Sequence, residues 1–346
     1  MLVDRDTPLR LHYNENAYGP SPRVRAAVIR AAHESIHLYP DITALRHDLA
    51  RMWGVGDEQV TLGAGGDEIL RRAVDVTAGA VVSPWPSFSV YPVLARARGR
   101  VFDRVALDPA GAADPGALVD AANRQTRPGT VLLANPNNPT GAARVREDFL
   151  AMARRLPGWL VVIDEAYAEF RDEVEPSAGV DTWPENVIVA RTMSKLHAVA
   201  GMRVGYAVGR GWAVEAVHRI GDEMSVSSLS LAAARAAIAD TVRLDRVRSA
   251  VRGRRAQLTA GLERRGFSVR PSQTNFVLAA PPAGVDVDRL HADLRAAGVW
   301  IRRGVDLGVP GTLRVSVGSG PQHRAFFAFL DERLAAAGVG VGAAAP

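Results

Sequence analysis

The chain has 346 residues, 47% of them hydrophobic and 23% charged, with a mean hydropathy of -0.01. That is the composition of globular material, enough for one large domain and a smaller one. There is no cysteine, which excludes disulfides, thiolate metal sites and cysteine nucleophiles and fits a cytoplasmic protein.

A formal charge of +5 and a pI near 10.0 invite a nucleic-acid reading. The arginines are interspersed with acids rather than gathered into a tail or stripe, and only 6% of residues are aromatic, so no nucleic-acid partner is expected. No membrane partner is expected either, because no apolar run approaches the ~20 residues of a bilayer span. The opening MLVDRDTPLR lacks the apolar core of a signal peptide.

In chain order, VRAAVIRAAHESIH at 24–37 reads as a helix. Its end matches the zinc pattern H-E-x-x-H, with His33 and His37 a turn apart and Glu34 between them. The pattern is short and falls just before Tyr39-Pro40, where a helix frays, so a solvated helix end is preferred and no metal is expected.

Strand-like runs then alternate with helical patterns. VTLGAG precedes DEILRRAVDVTA, AVVSPWP precedes SFSVYPVLARARG, and TVLLANPN precedes REDFLAMARRL; WLVVIDEAY and NVIVARTMSK follow. This rhythm predicts an α/β fold whose large domain is a mostly parallel sheet flanked by helices. Ligands bind such sheets beyond the carboxyl ends of the strands.

From about residue 229 a long arginine-rich helix is predicted, SLAAARAAIADTVRLDRVRSAVRGRRAQLTAGLERRG, then strands near SVRPSQTNFVLAA and GTLRVSVG around the helix VDRLHADLRAAG. The expected organisation is an arm at 1–22 joining the small domain, a large domain at 23–228, a connecting helix and smaller α+β domain at 229–338, and a flexible tail at 339–346.

The strand LVVIDEA ends in acids, as in P-loop enzymes, but no G-x-x-x-x-G-K-[ST] accompanies it. GAGGDE at 63–68 bares backbone amides at a helix start, which favours an anion. In RTMSKLHAVAGMRVGY, residues 191–206, lies Lys195, the only lysine in the chain. Arginine stays protonated in proteins, whereas lysine can lose its proton and act as nucleophile or base.

These strand ends supply one set of parts that a planar, phosphorylated, nitrogen-containing cofactor forming an imine with lysine would use. Pyridoxal phosphate is such a cofactor. Asp164 is placed to face its ring nitrogen and keep the ring an electron acceptor. Tyr167 and Asn138 can hydrogen-bond the ring hydroxyl, and Phe88 can lie against the ring face. Thr192, Ser194, Arg203 and the amides of Gly66 and Asp67 supply donors for the phosphate.

NENAYGPSP, GAGGDEIL, NPNNPTG, VVIDEAYAEF, SKLHAVAGMRVGY, QTNFVLA and LRVSVG occur in this order from about Asn14 to Ser319. In this the chain resembles the fold-type I aminotransferases of class I and II, and most of all their histidinol-phosphate aminotransferase branch.

The resemblance implies that Lys195 forms the internal aldimine and then shuttles the proton. It implies that Arg314 in LRVSVG grips the substrate carboxylate with help from Asn138, and that Arg302 in VWIRR takes a second substrate anion. It implies a homodimer with shared sites, Tyr39 in LYP reaching the cofactor phosphate of the other subunit, and Tyr18 in NENAYGP lining the substrate entrance.

The implied reaction moves an amino group between an amino donor and a 2-oxo acid, with histidinol phosphate and 2-oxoglutarate leading. An aromatic amino-acid aminotransferase, or a decarboxylase, lyase or oxidase on the same scaffold, is the alternative. Three features depart from the branch: only 13 residues precede Asn14, Phe88 stands where tyrosine is common, and His197 stands where many relatives have an aromatic ring.

Overall fold

A computed structural model describes residues 8–336; the first seven residues of the expected arm and the expected tail at 339–346 lie outside the described residues. The chain begins with β1 (Leu9–Arg10), α1 (Pro22–Glu34), α2 (Thr43–Trp53), β2 (Val60–Gly63), α3 (Gly66–Val76), β3 (Val81–Trp85), α4 (Val90–Arg96) and β4 (Phe102–Ala106). It continues through α5 (Pro115–Asn123), β5 (Thr130–Ala134), α6 (Arg146–Arg154), β6 (Leu160–Asp164), β7 (Val187–Thr192), β8 (Gly205–Gly209) and α7 (Gly211–Arg219). It ends with α8 (Ser228–Ile238), α9 (Thr241–Glu263), β9 (Ser268–Val269), β10 (Phe276–Ala280), α10 (Val287–Ala296), β11 (Val299–Trp300), β12 (Arg302–Arg303), β13 (Leu313–Ser316) and α11 (Gly320–Ala336).

The main sheet has seven strands in the order β2-β8-β7-β6-β5-β3-β4. β4, β3, β5, β6 and β7 pair in parallel, and β8 enters antiparallel between β7 and β2. Every residue of β5, β6 and β7 is buried, which accounts for their uninterrupted apolar runs: helices cover both faces. The two-residue alternation sends Val161 and Ile163 into one layer with Leu45 and Leu49 of α2. Leu160 and Val162 go to the opposite layer, with Ile69 and Leu70 of α3.

Helix starts follow from local chemistry. Ser21 caps α1 by accepting from the Val24 amide, with Pro22 in the first turn, and Asp114 before Pro115 does the same for α5. α1 stops at Glu34, where the Ser35 hydroxyl turns back onto the Ala31 carbonyl at 2.9 Å, so His37 lies past the helix end.

The single arginine-rich helix expected from about residue 229 is instead two. Asp240 leaves the helical region at φ -94°, ψ 57°, and α9 starts after it without a side-chain cap.

The smaller sheet is antiparallel, in the order β12-β13-β10-β9, and β1 pairs in parallel with β11. Its core includes Phe276, Leu294 and Phe326, and the loops after β6 and β7 contribute Tyr167, Phe170 and Leu196 to it. The carboxyl ends of the central parallel strands therefore face the smaller sheet. Among the described residues no helix is long and apolar enough to cross a membrane.

Candidate active site

A cavity of about 330 Å³ opens where β5, β6 and β7 end, with Ala134, Asp164 and Thr192 on its wall. This is the position that a parallel sheet reserves for ligands. Apart from Tyr18 and Tyr39, every site residue expected from the sequence lines it.

On the floor, Asp164 is 9% exposed, with neutral donors on both oxygens. The Tyr91 hydroxyl donates to Oδ2 at 2.9 Å and the Ala166 amide to Oδ1 at 3.1 Å. Burial pushes the carboxyl up to about 6, against the pull of those two donors, and the neighbouring Asp67 and Glu165 push the same way. Tyr91 is fully buried, and its own hydroxyl is raised well above the usual phenol range by burial and by Asp164. Its ring stands edge-on to Phe88 at 5.6 Å, so one residue fixes both the carboxylate and the aromatic wall.

Part of the cavity wall bares backbone amides at the start of α3. Gly65 has φ +88°, and a Cβ there would lie 2.5 Å from Arg203 Nη2. A Cβ on Gly205 would meet the Gly65 backbone at 2.4 Å, so β8 presses directly on this turn. The first turn of α3 then presents the amides of Gly66 and Asp67. Arg203 pairs with Asp67 Oδ2 at 3.1 Å, and the Thr192 hydroxyl donates to Ser194 Oγ at 2.9 Å.

Two arginines also line the cavity. Arg302 of β12 and Arg314 of β13 are register partners, which puts both side chains on one face of the sheet. Arg314 donates to Asn138 Oδ1 at 2.6 Å and to the His12 carbonyl at 2.7 Å. Burial, with Arg302 adding to it, lowers Arg314 to about 10. The Nε atoms of both arginines are buried without a partner. Lys195 Nζ donates to the Tyr13 carbonyl at 3.0 Å and lies 5.6 Å from the centre of the Tyr167 ring.

Tyr18 does not line the cavity. Asn16 Oδ1 accepts from the Tyr18 amide at 3.0 Å and the chain turns there, so the ring packs against the core of the smaller sheet. Tyr39 lies after α1 and is 85% exposed, away from the cavity of its own chain. His197, singled out as a departure, is buried with Nδ1 3.9 Å from Glu169 and does not line the cavity. Burial lowers its imidazole from the usual range.

Four contributors escaped the sequence reading: Tyr91, Tyr13, Asn14 and Arg191. Tyr91 lies one helical turn beyond Phe88, a spacing that could have flagged it. Arg191 and Arg146 clamp the buried Glu165, with Nε contacts of 2.8 Å each. Burial alone would raise Glu165, yet the two guanidinium groups hold it below the usual carboxylate range. The second acid of IDEA is thus occupied behind the cavity, and only Asp164 faces it.

Residues 6–325 match the family aminotransferase class I and II. The chain belongs to that family. This aminotransferase is 40% identical over 337 residues to a histidinol-phosphate aminotransferase of Symbiobacterium thermophilum, covering 94% of this chain and 90% of that protein. It is 36% identical to histidinol-phosphate aminotransferase 1 of Bradyrhizobium diazoefficiens, covering 92% and 90%.

Among solved structures, the histidinol-phosphate aminotransferase of Sinorhizobium meliloti in complex with pyridoxal-5'-phosphate superposes with a TM-score of 0.87 at 29% identity, over 94% of this chain and 90% of that one. The aspartate aminotransferase of Thermus thermophilus with maleate gives 0.82 at 26% identity, over 96% and 92%.

Proposed function

We propose that this aminotransferase uses pyridoxal phosphate to move an amino group between histidinol phosphate and 2-oxoglutarate. The observation that carries the substrate reading is the Arg302–Arg314 pair: two like charges in register, each with a buried Nε lacking a partner, favour anionic ligands. One arginine then serves the phosphate of the amino donor and the other the carboxylate of the keto acid. The names of the relatives support the same choice.

The residues present fit the cofactor. Asp164 is a buried carboxylate whose oxygens contact only neutral donors, and a protonated ring nitrogen would supply the missing cation. Gly66, Asp67, Thr192, Ser194 and Arg203 would hold the phosphate, Phe88 the ring face, and Tyr167 with Asn138 the ring oxygen. When bound, the cofactor supplies an aldehyde for imine formation and a ring that accepts electrons. Lys195, the one amine on the cavity wall, would hold that aldehyde and would serve as the base that carries the substrate proton. Arg314, held by Asn138 and the His12 carbonyl, orients the carboxylate, and Arg302 orients the second anion.

Tyr39, exposed in a single chain, is assigned to the cofactor phosphate of a second copy, so the active unit is a homodimer. Sedimentation should give a dimer; a fully active monomer overturns that assignment. Substrate choice is tested by single half-reactions of the holoenzyme. Histidinol phosphate should bleach the visible band, and a band that phenylalanine bleaches while histidinol phosphate leaves it unchanged rejects the substrate.

A further inference from the structure

Tyr167 can donate to a ring oxygen in the cavity only if its hydroxyl hydrogen points there, and a phenolic hydrogen rotates unless a neighbour fixes it. The neighbour is Asn14, 1% exposed, whose Nδ2 lies 3.1 Å from the Tyr167 oxygen. Asn14 adopts φ +55°, a left-handed conformation that asparagine tolerates better than most residues. In that turn its backbone amide donates to Ser316 Oγ at 2.9 Å, its carbonyl accepts from Asn275 Nδ2 at 2.9 Å, and Oδ1 accepts from Ser316 Oγ at 2.8 Å.

This ring of bonds has a direction. Ser316 Oγ already accepts from the Asn14 amide, so its hydrogen needs an acceptor, and Oδ1 is the one available among the described residues. Turning the amide over would set Nδ2 against Ser316 and leave a buried hydroxyl hydrogen unpaired, which is the costlier arrangement. Nδ2 therefore faces Tyr167, and an amide NH2 can only donate. The Tyr167 oxygen accepts there, and its hydrogen has to leave in another direction. The ring itself packs edge-on against Phe276 at 5.2 Å, and the hydroxyl has no other partner among the described residues.

We infer that Asn14 is a positioning residue which, oriented by Ser316, makes the Tyr167 hydroxyl donate into the cavity. The inference rests on the cofactor reading above. The same stretch of the arm holds two other members of the site: the His12 carbonyl takes Arg314 and the Tyr13 carbonyl takes Lys195.

The test is the pH midpoint of the visible absorption band of the holoenzyme. A hydrogen bond onto the ring oxygen stabilises its deprotonated form and weakens proton binding at the neighbouring imine, so losing that bond raises the midpoint. Asn14→Asp replaces the donor by an acceptor at one atom and draws the Tyr167 hydrogen out of the cavity. It should raise the midpoint by about one unit, as Tyr167→Phe should, and the double variant should rise no further. Ser316→Ala, which frees the amide to turn over, should move the midpoint the same way by less, and carries the test if Asn14→Asp does not fold.

Asn14→Asp and Ser316→Ala that titrate as wild type while Tyr167→Phe is displaced would overturn the inference. So would displacements of Asn14→Asp and Tyr167→Phe that add, since a through-space charge effect persists without the hydroxyl. A wild-type protein with no visible band on adding cofactor, or a Tyr167→Phe band that titrates as wild type, instead rejects the cofactor reading beneath it.

Discussion

Asp164→Asn separates what the fold needs from what the site needs. In the cofactor-free protein the Asp164 carboxyl sits at about 6 against an ordinary value of 3.8. As pH rises past 3.8 the unfolded chain releases its proton, while the folded chain keeps it until about 6. Over that window the native state is progressively disfavoured. The whole effect is about 3 kcal/mol, roughly half of it falling between pH 5 and 8.

Asparagine does not ionise, and the Tyr91 hydroxyl can turn to accept from its amide. In urea unfolding of the cofactor-free proteins, Asp164→Asn should therefore gain stability relative to wild type as the pH goes from 5 to 8. The sign reverses for the cofactor: without a carboxylate opposite the ring nitrogen, affinity should fall roughly tenfold to a hundredfold. A stability difference that stays flat from pH 5 to 8 would refute the view of Asp164 as a buried carboxylate lacking a cation. Unchanged cofactor affinity would refute its placement opposite the ring.

Two further outcomes test other parts of the site. Arg302→Ala should lower kcat/KM for a phosphorylated amino donor while sparing glutamate, and equal losses on both would reject its assignment to the second anion. Glu165→Gln leaves Arg146 and Arg191 buried without their shared carboxylate and should destabilise the protein by about 3 kcal/mol in urea unfolding; a loss below ~1 kcal/mol would contradict its role as their counter-ion.

The parts legible in the sequence are those whose physics is local. Runs such as LVVID announce a strand buried on both faces, Gly65 and Gly66 announce a turn with bared amides, and a lone lysine among arginines singles out Lys195, which lines the cavity. What stayed hidden depends on distant partners. Tyr91 reads as one more core aromatic until its hydroxyl meets Asp164, 73 residues away. Asn14 is an ordinary polar residue until Tyr167 and Ser316 close around it, 153 and 302 residues on.

Arg302 and Arg314 are each visible as candidates, but that they share one sheet face follows only from the register of β12 on β13. The break at Asp240 was hidden for another reason: helical composition continues through it, and a change of φ and ψ at one residue leaves no mark on the periodicity.

Borohydride reduction of the purified holoenzyme reads whether Lys195 carries the cofactor. Cleavage after arginine should then release Thr192–Arg203 bearing the cofactor mass on Lys195, uncut at that lysine, and Lys195→Arg should lack both the label and the visible band. A label confined to the N-terminal amine, or a Lys195→Arg protein that keeps the band, would show that Lys195 does not hold the cofactor.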